Sequence, residues 1–443
     1  MVTPRSGDGS DEANDDAAHG ARDAAFDDLD SGVLVVGAGP AGSAAAAALA
    51  RLGVPVTLVD RRSFPREKIC GDGISPLALE GLARLGFDLG RFSTRGDMPR
   101  CDFVSPAGRV WRAHYPRLES AARGGATIDH GFVIARHEFD HALLQHARAC
   151  GARIVERCRY RSIASDGAGW RVELSIGDEP VTLRPAAIIA ADGEHSTLRR
   201  DLSGGARRDE EWLAVRAYLR SLREPVPQMS FHFTRDVLPG YGWIFPADPD
   251  TDGPRANVGV YFRYSRLAQS GHSPKELFRR FVSPLIEATD GVLRGAELET
   301  TPQGYPITPY DPRRRLVFRN ALLAGDAAGV ADPLTGEGIG PAIRSGELAA
   351  AAAARFVHTR EPADLLRYPL ELKDTLNATR RRGLFLLYLL ERQSWLVDRL
   401  FERADGDRRL ADRVFRVLSG DLPLRRIFRP SVFLRIYWPA RRL

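Results

Sequence analysis

Four cysteines in 443 residues, none in a CxxC pair, give neither a disulfide framework nor a zinc site, and suit a reducing cytoplasm. The C-terminal part has no apolar run long enough to cross a bilayer. Its longest, Leu384 to Leu390, is seven residues between Arg382 and Glu391. The N-terminal 31 residues have neither a basic start nor an apolar core, so they do not read as a signal peptide. No nucleic-acid-binding module is recognisable, so the net charge of +6 is not read as a nucleic-acid footprint. These absences leave a soluble or peripheral cytoplasmic protein, peripheral meaning seated on the inner membrane face.

With 44% apolar residues, the chain has enough for a core and for more than one domain. Residues 1–31 hold nine acids and two arginines, a net −7, so the remainder carries +13. This leader is rich in Asp, Ala and Gly without hydrophobic periodicity, and is expected to be disordered.

The most informative stretch is residues 33–60, VLVVGAGPAGSAAAAALARLGVPVTLVD. An apolar run, Val33 to Val36, meets a Gly37-x-Gly39-x-x-Gly42 turn and an alanine-rich helix; a second run, Val56 to Val59, ends in Asp60. The first glycine permits the tight turn, the second lets a pyrophosphate reach the backbone, and the third lets helix pack on strand. With Pro40 and Ala41, the helix start offers free N–H groups and a positive dipole end to phosphates. Asp60, 23 residues after Gly37, stands where a carboxylate accepts adenosine ribose hydroxyls, with Arg61 beside it. The segment predicts an adenine dinucleotide site.

A second marker, Leu322 to Ile339 (LLAGDAAGVADPLTGEGI), runs from an apolar strand through Gly325 and Asp326 into a glycine-rich turn and a helix. Asp326 suits a ribityl hydroxyl, Gly336 and Gly338 let backbone lie on a flat ring, and the helix from about Gly340 aims its N-terminus at the flavin N1/C2=O edge. Between the two lies IIAADGEHS, a strand leading to Asp192 and Gly193.

The GAGPAG, ADG and GDAAG…GEGI motifs resemble the FAD-dependent fold shared by aromatic hydroxylases, halogenases and geranylgeranyl reductases, over about residues 32–350. KICGDG (68–73) and PGYGWIFP (239–246) are similar to its reductase branch, which saturates prenyl chains of archaeal lipids, chlorophyll precursors and menaquinone. Halogenases carry a tryptophan pair ending in Ile-Pro where this chain has Tyr241, Trp243 and Phe245, which argues against halogenation. The resemblance implies an α/β, Rossmann-like FAD-binding domain (32–100, 133–205 and 311–350), an inserted antiparallel-sheet substrate domain (101–132 and 206–310), and a helical C-terminal region (351–443). It also implies that Cys70, Gly71 and Gly73 lie beside the isoalloxazine, and that Arg136, opening a helical RHEFDHAL, reaches the pyrophosphate. A surface helix-cap role is the alternative for Arg136.

Alternation in LAVRAYL and VGVYF supports the antiparallel sheet. Tyr241 and Trp243 point to one face of a strand and, with Phe245 and, across the cavity, Tyr305, would form an apolar wall for a hydrophobic small molecule. A core pair under the sheet is the alternative. Reducing an isolated alkene needs a proton as well as a hydride, and Cys70 and Tyr241 are the candidate acids. No second nucleotide clamp is visible, so the electron donor, NAD(P)H or a reduced protein carrier, stays open. The tail LPLRRIFRPSVFLRIYWPARRL interleaves arginines with aromatics and suits either an anionic membrane surface or packing on its own domain. The competing enzyme reading is an FAD monooxygenase acting on an aromatic or polyketide.

Overall fold

The computed structural model describes residue 26 and residues 29–418, apart from 91, 93–97, 116–117, 120–126, 168, 207–210 and 251–252. Most of the acidic leader and all of the basic tail beyond 418 lie outside the described residues. Leu29, near the leader's end, is 3% exposed and belongs to the core, and its carbonyl accepts from Ala186 N–H. Packing therefore includes residues before 32.

Two layers of sheet position everything else. The first strand β1 (Val33–Val36), helix α1 (Pro40–Arg51) and β2 (Val56–Val59) form a parallel β-α-β unit with β1 and β2 in register Val33↔Val56 to Val36↔Val59. Helices α2 (Pro76–Arg84) and α3 (Arg136–Ala149) follow, with strands β3 (Arg100–Val104) and β4 (Val110–His114) between them. Strand β5 (Arg153–Val155) joins β2 on its outer side. A three-stranded antiparallel sheet, β6 (Cys158–Asp166), β7 (Gly169–Ile176) and β8 (Glu179–Leu183), precedes β9 (Ala187–Ala190), which pairs with β1. All four residues of β1, β2 and β9 are buried, as continuous apolar runs in a sheet covered on both faces should be.

After α4 (Thr197–Leu202) the chain builds the second sheet. Strands β10 (Trp212–Arg220), β11 (Met229–His232), β12 (Tyr241–Asp250), β13 (Gly253–Arg263) and β14 (Gln303–Ile307) join β3 and β4 in an eight-stranded sheet. Its pairs are antiparallel except β11 with β3, which run parallel. Residues of β3 thus pair with residues more than a hundred positions later. One face of this sheet is covered by α5 (Pro274–Glu287), whose Leu277, Phe278 and Phe281 pack on Val215, Val258 and Val260. The opposite face looks toward the nucleotide sheet.

The chain then returns through β15 (Val317–Phe318) and β16 (Ala321–Leu323), the latter parallel to β9, to close the first sheet. Helix α6 (Ile339–Thr359) crosses α1 so closely that a Cβ on Gly346 would stand 2.2 Å from Ala41 O. Helices α7 (Pro362–Arg392), α8 (Ser394–Gly406) and α9 (Arg408–Leu418) follow, and Leu387, Phe401, Val414 and Phe415 cover an aromatic cluster with Phe103 and Trp111. No described helix is long and apolar enough to cross a membrane. The architecture is the expected mixed α/β one: a Rossmann-like nucleotide domain, an antiparallel-rich sheet and C-terminal helices.

Candidate active site

The two sheets face one another across a cavity of about 1040 Å³. On one side stands the glycine turn. Gly37 has φ +101, and a Cβ there would lie 2.4 Å from Ala191 O; one on Gly42 would lie 1.8 Å from Gly37 O. Neither position has room for a side chain, though Gly37 also lines the cavity. Gly39 differs, because a Cβ there would meet nothing nearer than Arg66 at 3.8 Å, and no side chain caps the start of α1. The open space over an uncapped helix N-terminus is what a pyrophosphate needs. At the far end of the clamp the Asp60 carboxylate is fixed by Ala38 N–H (2.8 Å) and Arg62 N–H (2.9 Å). Asp60, Arg61, Pro40 and Ala41 all line the cavity. These residues fit an adenine dinucleotide.

Gly325, Asp326, Gly338 and Ile339 line the same space from the second marker. Gly325 has φ +60 and would place a Cβ 2.7 Å from that of Ala41, so this turn and α1 require the absence of a side chain there. Asp326 is met by Lys68, whose ammonium lies 3.3 Å from its carboxylate and 2.5 Å from the Tyr305 hydroxyl. Burial opposes the charge on Lys68, yet Asp326 and then Tyr305 hold its pKa above the ordinary value. Asp192 and Gly193 also line the cavity, but the Asp192 carboxylate accepts from Ser196 Oγ (2.5 Å) and Leu198 N–H (3.4 Å), tying down the start of α4. Burial raises its pKa.

Arg136 lines the cavity in a more constrained way than a free pyrophosphate ligand would. It is 6% exposed and bidentate to Asp140, at 2.8 Å for both bonds, and Arg66 reaches the same carboxylate at 3.0 Å. Burial works against its charge, but Asp140 and then Cys70 hold its pKa well above the usual value. It is not a surface cap.

The second sheet supplies the other wall. Tyr241, Trp243 and Phe245 do share one face of β12 and line the cavity, with Tyr261 of β13 beside them. Tyr261 stacks on Trp212 at 4.6 Å between ring centroids, and Tyr241 meets Trp243 edge-on at 6.4 Å. Trp243 is 4% exposed, so it belongs both to the packed cluster and to the wall. The Tyr241 hydroxyl donates to the Thr335 carbonyl. Burial first, and the Asp332 and Glu337 carboxylates next, push its pKa up. Tyr305 sits on β14, against Lys68.

Cys70 and Gly71 lie between the two walls. Gly73 does not line the cavity; its Cα faces Phe245 and Met229 from a short pair with residues 132–133. Gly42 is likewise behind the turn. What sequence reading missed is the polar layer that seats the 68–73 loop. Arg216 donates to the carbonyls of Cys70 (3.0 Å) and Lys68 (3.3 Å), and Asn257 donates to Cys70 O (2.9 Å) and Asp72 Oδ2 (2.7 Å). Tyr218 OH also donates to Asp72 Oδ2. Asp72 is 2% exposed with φ +64, and its Oδ1 has no hydrogen-bond partner among the described residues. Burial raises its pKa, opposed by the Tyr218 hydrogen bond and by Arg216. Asp72 sat in KICGDG, and Arg216 and Tyr218 in the alternating LAVRAYL, but neither stretch nor Asn257 carried a signal for this layer.

Residues 30–380 match the FAD binding domain family. The chain is 32% identical to a menaquinone reductase of Mycobacterium tuberculosis, over 72% of this chain and 75% of that one. It is 30% identical to a digeranylgeranylglycerophospholipid reductase of Methanoculleus marisnigri, over 73% and 77%. A geranylgeranyl bacteriochlorophyll reductase-like structure from Thermoplasma acidophilum superposes with a TM-score of 0.72 at 21% identity, covering 85% of this chain and 91% of that one.

Proposed function

Since the chain belongs to the FAD-dependent geranylgeranyl reductase family, within the larger FAD binding domain family, we propose that it saturates C=C bonds in the prenyl chain of a lipid or quinone of the menaquinone type. The observation that carries this reading is the pairing of a dinucleotide clamp with an aromatic wall, Tyr241, Trp243, Phe245 and Tyr261, across one cavity. A long hydrocarbon has few polar groups to recognise, so an apolar surface supplies most of its binding, about 25 cal/mol for each Å² removed from water.

Gly39 and the start of α1 take the pyrophosphate, Asp60 the adenosine ribose, and Asp326 the ribityl chain. Bound and reduced, FAD supplies a hydride to one alkene carbon. The residues of this chain orient that alkene and settle where the second hydrogen, a proton, comes from. Tyr241 is poorly suited, because its proton is directed at the Thr335 carbonyl and its pKa is raised. Cys70 stands between the clamp and the wall, so its thiol is the better-placed donor or relay for that proton. The wall keeps water out while charge develops on carbon.

The basic tail supports a seat on anionic lipid, which would bring a membrane-resident prenyl chain to the cavity; removal of residues 421–443 is then expected to weaken binding to anionic vesicles. Deleting the gene tests the substrate directly. The expected result is a lipid or quinone two hydrogens lighter than in the parent strain; an oxygenated product missing from the deletion strain would favour the monooxygenase reading instead.

A further inference from the structure

Asn257 lies on β13 opposite Tyr218 of β10 and Phe245 of β12, and its side chain is wholly buried at 0% exposure. Its amide makes three bonds. Oδ1 accepts from Trp243 Nε1 at 3.0 Å, while Nδ2 donates to Cys70 O at 2.9 Å and to Asp72 Oδ2 at 2.7 Å. The orientation follows from chemistry, since an indole N–H can only donate and a backbone carbonyl can only accept. The oxygen must face the wall, and the nitrogen must face the loop.

The two features joined in this way touch. A Cβ on Gly71 would stand 3.4 Å from Trp243 Nε1 and 3.4 Å from the Phe245 ring, so the loop backbone lies almost against the indole. Arg216 also holds this loop, but through the carbonyls of Lys68 and Cys70 alone, with no bond to the wall. Among these residues Asn257 has bonds to both sides.

We infer that Asn257 is the positioning residue that fixes the Cys70–Asp72 loop against the Trp243 wall and so sets how far Cys70 stands into the cavity. The consequence for catalysis rests on the prenyl-reductase reading; the structural claim does not. An apolar residue of similar volume removes all three bonds at once and leaves Trp243 Nε1 buried without an acceptor, a situation the fold relieves by letting the loop or the indole move. Cys70 moves with the loop. Cys101 and Cys158, each 1% exposed, are held in strands β3 and β6 and do not.

The test is the rate at which iodoacetamide alkylates each cysteine in the folded, flavin-loaded protein without substrate, read by peptide mass spectrometry. Asn257→Leu is expected to speed labelling of Cys70 by about tenfold, the scale of one lost buried hydrogen bond, with Cys101 and Cys158 as slow as before. Asn257→Asp keeps an acceptor for Trp243 but turns the loop-facing donor into an acceptor beside the Asp72 carboxylate. It is expected to speed Cys70 labelling as well, and it carries the test if the leucine variant does not fold. With a prenyl substrate both variants are expected to lose kcat more than they raise KM, with FAD retained. Unchanged Cys70 labelling, or a rise shared equally by Cys101 and Cys158, would overturn the inference. Because labelling is read without substrate, its outcome is independent of whether the prenyl reading holds.

Discussion

The cavity's two sides are made of different material. On the nucleotide side the ligand-facing surface is backbone: Gly37, Gly39 and the uncapped start of α1, with Gly325 closing in behind. On the opposite side it is side chains from three strands, Tyr241, Trp243, Phe245, Tyr261 and Tyr305, beside the polar layer of Arg216, Asn257 and Asp72. A backbone cradle recognises what every dinucleotide shares, its pyrophosphate, and it tolerates no added atoms. A side-chain wall recognises shape and hydrophobicity and can be altered one residue at a time. On the proposed reading, the first side sets which cofactor the protein holds, and the second sets what that cofactor acts on.

If that division is right, damage to the cradle removes the cofactor whatever happens to the wall. Gly39→Val is expected to fold, since a Cβ there meets only Arg66 at 3.8 Å, but to purify colourless, its side chain filling the pyrophosphate site. A folded, fully yellow Gly39→Val protein would break the comparison. Gly42→Val sharpens it: with Gly37 O 1.8 Å from the added carbon, this change is expected to cost the fold itself, read as loss of soluble protein or of the melting transition.

Damage to the wall should do the reverse. Trp243→Ala empties a site that is 4% exposed, and its stability cost is expected to stay within the roughly 3–5 kcal/mol typical of emptying a core aromatic site. FAD is expected to stay bound and accept electrons while prenyl turnover drops. Loss of flavin would show that the wall belongs to the cofactor site after all.

Asp72 offers a pH signature for the polar layer. Its folded-state pKa is raised by burial, so its contribution to stability is full below the ordinary aspartate value and is lost as pH rises through the folded value. Asp72→Asn, which cannot ionise, is expected to gain in relative melting temperature over the parent as pH is raised from the ordinary aspartate range toward neutrality. A difference that stays flat with pH would mean that Asp72 carries no such shift. The smallest effect is expected from Tyr241→Phe, which removes one hydrogen bond to the Thr335 carbonyl, worth about 1 kcal/mol. Near-normal turnover would leave Tyr241 as wall only; a large fall in kcat at unchanged KM would make it the proton donor.

The same contrast explains what could be read from the residues in order. The clamp from Val33 to Asp60 is written in one short stretch, because β1, the turn, α1 and β2 are consecutive, and both strands fall where the apolar runs do. The aromatic face of β12 was legible too, since alternation along one strand fixes which side chains share a face. The polar layer was not. Asn257 meets Cys70 across 187 positions and Asp72 across 185, and Arg216 meets Cys70 across 146. Such pairs exist only once the second sheet has formed, and an Asn in a strand gives no local sign of them. The parallel pairing of β3 with β11 is of the same long-range kind. Arg136 was legible as a residue of the site but not as one already bidentate to Asp140, a pairing visible only on the folded helix.

In the proposed reaction, electrons held on one side of the cavity pass to an alkene lying against the other. The protein with its FAD chemically reduced, kept free of oxygen and mixed with a menaquinone or geranylgeranyl lipid, tests it most directly. The bleached flavin is expected to regain its yellow colour in step with the appearance of product two mass units heavier, one double bond saturated per flavin, and Trp243→Ala is expected to slow both. A flavin that stays bleached with every prenyl substrate and recovers only when oxygen is admitted, with an oxygen atom appearing in an aromatic product, would contradict it.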